Sequence, residues 1–135
     1  MKVTIYTDGG SRGNPGPAAT GIVIKDEDGH VLAAYGEYLG IQTNNFAEYS
    51  ALISGLHKAK ELGAEEVACY LDSRLVCEQL NNNWKVKEPT LQKLFIKAWN
   101  ACRAFKKVKI EYIPRENNQD ADREVNIALD KHLKK

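Results

Sequence analysis

KVTIYTDGGSRGNPGP, residues 2–17, is the stretch on which the reading of this chain turns. Val3, Ile5 and Thr7 alternate with Thr4, Tyr6 and Asp8, the period-two pattern of a strand with one face on a core. The strand is expected to run into Asp8 and then break into a turn holding Gly9, Gly10, Gly13, Pro15, Gly16 and Pro17. A carboxylate at a strand end is held by the sheet yet free of it. The glycines that follow remove side chains where something large, such as a phosphate backbone, must come close. A plain hairpin is the competing reading, because Asp-Gly is also a turn signal.

Working outward, residues 18–25 and 31–39 read as two more strands, with the hairpin signal Asp26-Glu27-Asp28-Gly29 between them. The first three strands should form an antiparallel meander. At Thr43-Asn44-Asn45 the pattern changes: Phe46, Tyr49, Leu52, Ile53, Leu56 and Ala59 recur at helical spacing, and Gly63 supplies the stop. Thr43 or Asn44 is the candidate N-cap. Residues 66–71 form a short strand ending in Asp72, so the first strand's pattern of an apolar run followed by Asp repeats. A short helix over 73–81 is broken by Asn81-Asn82-Asn83, and Pro89-Thr90 opens a longer one to about residue 105. Residues 108–113 are the last strand, stopped by Pro114. A final helix runs from 120 to about 132, and the lysine tail after it is expected to fray. The order β-β-β-α-β-α-α-β-α predicts an α/β fold, a mixed sheet with helices packed on its faces.

At 135 residues the chain is read as one domain, 1–135, large enough to bury a core without staples. Apolar content of 43% and charged content of 27% are those of a soluble globular protein. No apolar run approaches the roughly 20 residues of a membrane span, and the N-terminus has no signal-peptide pattern. A cytoplasmic protein without a membrane partner is the expectation. Cys69, Cys77 and Cys102 are odd in number and lack close metal-type spacing, so buried free thiols are expected. The net charge of +1 hides an asymmetry: residues 84–109 carry eight basic residues against a single acid, Glu88. Such a segment suits a polyanion, with a solvated lysine face as the alternative.

Four acids sit where a charge is awkward. Asp8 and Asp72 each follow an apolar run. Glu48 lies one turn into a helix, beside its apolar stripe, and Asp122 lies one turn into the last helix, near Ala121, Val125 and Ala128. Four carboxylates near a buried surface would each resist ionising next to the others. Either they are dispersed, or a cation gathers them. Hard oxygen donors of this kind suit Mg²⁺ or Mn²⁺, and pairs of such ions are the usual device for in-line attack on a phosphodiester. Taken singly, each Asp would be a cap or turn residue, and Glu48 an ordinary glutamate favoured by the helix dipole.

Four segments together resemble type 1 ribonuclease H over essentially the whole chain: TDGGSRGNPGP at 7–17, TNNFAEYSAL at 43–52, LDSRLV at 71–76 and ENNQDAD at 116–122. The resemblance implies the ribonuclease H fold, a five-stranded mixed sheet of three antiparallel strands followed by parallel ones, with helices on both faces. It implies that Asp8, Glu48, Asp72 and Asp122 hold two Mg²⁺ ions, with Mn²⁺ a plausible substitute. Asp8 would bridge both ions, Asp122 would share the ion that activates water, and Glu48 and Asp72 the ion at the leaving 3′ oxygen. The implied activity is endonucleolytic hydrolysis of the RNA strand of an RNA·DNA hybrid to 5′-phosphate products. Gly9, Gly10, Ser11 and Asn14 of the glycine loop, and Asn44 and Asn45, resemble residues that contact the hybrid, and Thr43 resembles a phosphate-binding threonine. The expected partner is the hybrid, with duplex RNA as a second candidate, and the expected state is a monomer.

Two departures stand out. Many members carry a basic handle, an extra helix and loop between the two middle helices. Here only residues 82–88 separate them, so the handle is absent or reduced to Trp84-Lys85-Val86-Lys87. Trp84 is either a stacking platform for DNA sugars or a core residue, and Lys85 and Lys87 are candidate backbone contacts. The loop before Asp122 also lacks the family's histidine: its cation is Arg115, either a phosphate ligand or a surface arginine. The rival function, from a different class, is a non-catalytic hybrid- or RNA-binding module of the same fold.

Overall fold

The computed structural model describes residues 1–133, so the expected fraying of the lysine tail lies outside the described residues. The elements are β1 (Lys2–Ser11), β2 (Gly16–Lys25), β3 (Val31–Gln42), α1 (Asn44–Glu61), β4 (Glu66–Leu71), α2 (Arg74–Leu80), α3 (Pro89–Cys102), β5 (Lys107–Tyr112), a 3-10 turn (Arg115–Asn117) and α4 (Gln119–Leu133). Their order is the one the sequence predicts. The strands form one sheet in the order β3-β2-β1-β4-β5, with antiparallel pairs at β1–β2 and β2–β3 and parallel pairs at β1–β4 and β4–β5.

One face of the sheet is covered by α1, α2 and α3, the other by α4. The larger core joins Val3, Ile5, Ile22 and Ile24 to Tyr49, Leu52, Leu56, Val76, Leu80, Leu94 and Ala98. A smaller one places Val125 and Leu129 of α4 against Ala19 of β2. The large apolar residues of α1 were legible from their spacing, but the row lying flat against the sheet includes Ala47, Ala51 and Gly55, all buried. Small side chains let the helix axis come close. The three cysteines are free, as expected; Cys69 and Cys77 are buried, but Cys102 is only half-buried.

The reading of the opening stretch needs correction. β1 does not break after Asp8; it continues through Gly9 and Gly10 to Ser11, paired with Gly21, Thr20, Ala19 and Ala18 of β2. The turn proper begins at Arg12, whose N–H donates to the Pro17 carbonyl at 2.8 Å. Gly9 serves a helix. A Cβ there would lie 2.2 Å from the Ala47 carbonyl carbon and 2.4 Å from the Glu48 nitrogen, so only glycine lets α1 cross β1 at this point. Gly21 does the same on the opposite face, where a Cβ would meet the Ala121 carbonyl oxygen of α4 at 2.0 Å. These two close approaches bring helices from both faces onto β1 and β2 beside Asp8.

Candidate active site

Asp8 gains its setting from a difference in strand length. The pairing of β1 with β4 ends at Thr7 opposite Leu71, whereas the pairing with β2 runs on past Asp8 opposite Gly21. Asp8 therefore stands at the carboxyl end of the parallel pair while still stitched into the sheet on its other side. Asp72 is the residue at which β4 stops. Ser73, next in the chain, caps α2 by accepting the Val76 N–H at 3.3 Å. Glu48 arrives from α1, whose start is fixed by Thr43: its hydroxyl accepts the Phe46 N–H at 3.1 Å. Of the two candidate caps, Thr43 is the one used. Asp122 arrives from α4 on the opposite face, its N–H donating to the Asn118 carbonyl at 3.1 Å.

Oxygens of Asp8, Glu48 and Asp72 all lie within 4.8 Å of one another. Asp8 is 2% exposed and Glu48 8%. Burial pushes the Asp8 carboxyl up to about 7, and the charges of Asp72 and Asp122 push the same way. Burial likewise raises Glu48 well above the usual carboxylate range, helped by the charges of Asp8 and Asp72 and opposed by the backbone N–H of Gly9 nearby. Three of the four acids picked from the sequence are thus gathered at one place, and Asp122 lies near enough for its charge to bear on Asp8.

Their chemistry fits a hard divalent cation. All donors are carboxylate oxygens, and Oε2 of Glu48 is buried without a hydrogen-bond partner among the described residues. Like charges packed this closely need either protons or a cation, and a cation leaves them ionised at neutral pH.

The polar rim is built from the glycine turn and the start of α1. Oδ1 of Asn44 accepts the Ser11 N–H at 2.8 Å, and Oδ1 of Asn14 accepts the Asn44 N–H at 3.0 Å. Each acceptor oxygen is engaged inside the protein, which orients the two amide NH₂ groups and locks the turn to the helix. Arg12 braces the same turn from behind through Asp130 of α4 at 2.8 Å. Asn45 and Thr43 are exposed and Ser11 and Gly10 half-buried, whereas Gly9 is buried beneath α1.

Trp84 is 45% exposed, which removes core packing as its role. It borders an open cavity of about 590 Å³ lined also by Gln79, Lys85, Val86, Phe95 and Ile96. Amide side chains hold this short connection: Gln79 donates to the Lys85 carbonyl at 3.3 Å and Gln92 to the Val86 carbonyl at 2.8 Å. Lys85 and Lys87 are exposed. Not all of the basic segment is available, because Lys106 pairs with Glu65 at 3.0 Å and Lys109 with Glu111 at 3.4 Å. Arg115 opens the 3-10 turn; its side chain is exposed and makes no hydrogen bond or ion pair among the described residues. Asn118, which sequence reasoning did not single out, is 1% exposed and hydrogen-bonds Asp72.

A buried carboxylate cluster at the carboxyl end of the parallel strands of a β3-β2-β1-β4-β5 sheet places this molecule in the class of ribonuclease H-fold proteins. The family model described as "Reverse transcriptase-like" matches residues 6–128. Among solved structures, the chain is similar to RNase H1 from Halobacterium salinarum NRC-1, with TM-score 0.95 and 40% identity over 97% of this chain and 99% of that one. It is also similar to LC11-RNase H1, solved in complex with an RNA/DNA hybrid, with TM-score 0.92 and 44% identity over 97% and 99% of the two chains. The bifunctional protein Rv2228c of Mycobacterium tuberculosis is 49% identical over 131 residues; the match covers 96% of this chain and 36% of that protein. The chain thus spans about a third of the length of that curated relative. This chain belongs to the type 1 ribonuclease H family. Among the described residues no helix is long and apolar enough to cross a membrane.

Proposed function

We propose that this chain is a metal-dependent endoribonuclease that hydrolyses the RNA strand of RNA·DNA hybrids to 5′-phosphate products. The observation that carries this reading is the buried cluster of Asp8, Glu48 and Asp72, with oxygens within 4.8 Å, joined by Asp122 from the opposite face. These four residues would hold two Mg²⁺ ions, or Mn²⁺ in their place. Bound there, the ions would supply an activated water and charge neutralisation at the scissile phosphate. A pure binding module gains nothing from burying mutually repelling acids, so the catalytic reading is preferred to the non-catalytic one.

Substrate recognition follows from the rim. Asn14 and Asn44, their oxygens engaged internally, offer NH₂ donors to acceptors of a minor groove, including the 2′-hydroxyl oxygen that distinguishes RNA from DNA. Asn45 and Thr43 extend that surface, with Ser11 and Gly10 beside them. Trp84, Lys85 and Lys87 would meet the DNA strand, by stacking and by charge. All four acids come from one chain, so a monomer suffices, and a cytoplasmic location fits free thiols. The test is incubation with end-labelled hybrid, duplex RNA and duplex DNA in Mg²⁺. Cleavage confined to the RNA of the hybrid is expected; cleavage of duplex RNA at a similar rate would widen the substrate class, and no cleavage of any substrate would favour the binding module.

Arg115 is proposed to bind the phosphate that leaves the site. A guanidinium keeps its proton near neutral pH, so it serves as a two-pronged phosphate donor and not as a base. Arg115→Ala is expected to lower turnover on saturating hybrid ten- to a hundredfold, about 1.4–2.7 kcal/mol, and Arg115→Lys to recover part of the loss. Parent-rate turnover by Arg115→Ala would make this arginine a bystander.

A further inference from the structure

Asn118 joins the 3-10 turn to α4 and is almost wholly buried, at 1% exposure. Its Nδ2 donates to the Thr7 carbonyl at 2.8 Å and to Oδ2 of Asp72 at 3.1 Å. Its main-chain carbonyl accepts the N–H of Asp122 at 3.1 Å. One residue therefore touches the peptide group that joins Thr7 to Asp8, the carboxylate of Asp72, and the backbone of Asp122. These belong to β1, to the end of β4 and to α4, two neighbouring strands of the sheet and the helix that covers one of its faces.

The orientation of the amide is fixed by its neighbours. Both partners are acceptors, so the nitrogen must face them; turned over, Oδ1 would oppose two acceptors. In the orientation adopted, Oδ1 is buried without a partner among the described residues. A buried acceptor left unpaired carries a free-energy cost, and a side chain present only to fill space would avoid it. Asn is kept here for its two donor hydrogens. By donating to one oxygen of Asp72, it fixes the rotation of that carboxylate beside Asp8 and Glu48.

We infer that Asn118 is a positioning residue that sets the mutual placement of Asp8, Asp72 and Asp122 and thereby the affinity of the cluster for divalent metal. The inference rests on the metal reading of the four carboxylates given above. Partners that orient ligating carboxylates typically change metal affinity ten- to a hundredfold when removed.

The test is calorimetric titration of Mn²⁺ alone into the substrate-free protein, for the parent, Asn118→Ala and Asn118→Ser, each checked for folding by circular dichroism. Serine keeps a polar group and gives a second folded variant if alanine fails. The expected result is a Mn²⁺ dissociation constant raised at least tenfold in the folded variants. On hybrid, kcat should fall at low Mg²⁺ and climb back toward the parent's as Mg²⁺ is raised, a shift in metal dependence that a fixed loss of folded protein would not give. Folded variants that bind Mn²⁺ with the parent's constant would overturn the inference and leave the metal reading standing. A parent that takes up no Mn²⁺ would overturn both.

Discussion

Asp8→Asn is expected to lower cleavage of the RNA·DNA hybrid at least a thousandfold, about 4 kcal/mol of transition-state stabilisation, while hybrid binding survives. Asp8 is the acid to which the other three are related: oxygens of Glu48 and Asp72 lie within 4.8 Å of its own, and the charges of Asp72 and Asp122 act on it directly. A neutral amide of the same shape cannot supply the negative oxygens that two cations would share. Binding persists because the hybrid would be held elsewhere, by Asn14, Asn44 and the exposed lysines. Gel-shift affinity and single-turnover cleavage, measured on the same preparation, separate the two effects. Cleavage by Asp8→Asn at a tenth of the parent rate would contradict the assignment of Asp8.

The second large effect is on stability. In chelator, the melting temperature is expected to fall as pH rises from about 5.5 to 8. The sign follows from Asp8, whose folded carboxyl is pushed from 3.8 up to about 7. The folded protein then holds a proton that the unfolded chain has released, so stability is lost as pH climbs toward and through 7. The whole shift corresponds to about 4 kcal/mol, of which about 2 kcal/mol falls between about pH 5.5 and 7, enough to move melting on the order of 10 °C. Glu48, also raised, adds in the same direction. Mg²⁺ should flatten the dependence by balancing the ionised cluster, and Asp8→Asn should be the more stable protein in chelator at pH 8. Differential scanning calorimetry at four pH values, with and without Mg²⁺, checks both. A melting temperature that stays level in chelator across this range would mean that the carboxylates are not packed together in solution.

Sequence reasoning reached the element order because the strong signals are local ones. The change from period two to period 3.6 at Thr43, the Thr43 cap and the Gly63 stop depend on neighbours in the chain. It failed where the cause lies in a distant element. Gly9 and Gly10 look like breakers, yet β1 passes through them, because the space beside Gly9 is filled by the backbone of α1. Nothing within residues 2–17 carries that information. β3 reaches Gln42, beyond the expected end at 39, because β2 begins as early as Gly16 and pairs with it there. The four acids were legible for a different reason: each stands at the end of an apolar run or beside an apolar stripe, where an unpartnered charge is costly. Asn118 gave no such signal, since asparagine in a polar loop is ordinary. Its burial follows only from the way α4 docks on the sheet. Trp84 could not be placed from the chain alone either; its exposure depends on how the short connection lies over α3.

If the gathered carboxylates hold divalent metal and cleavage of the hybrid depends on it, the dependence is read by incubating 5′-labelled RNA annealed to DNA with the protein in EDTA, then adding Mg²⁺ in excess to the same tube. No product is expected in EDTA, followed on metal addition by RNA fragments ending in 3′-hydroxyl and 5′-phosphate. Cleavage that proceeds in EDTA at the Mg²⁺ rate, or fragments carrying 2′,3′-cyclic phosphate, would contradict the account.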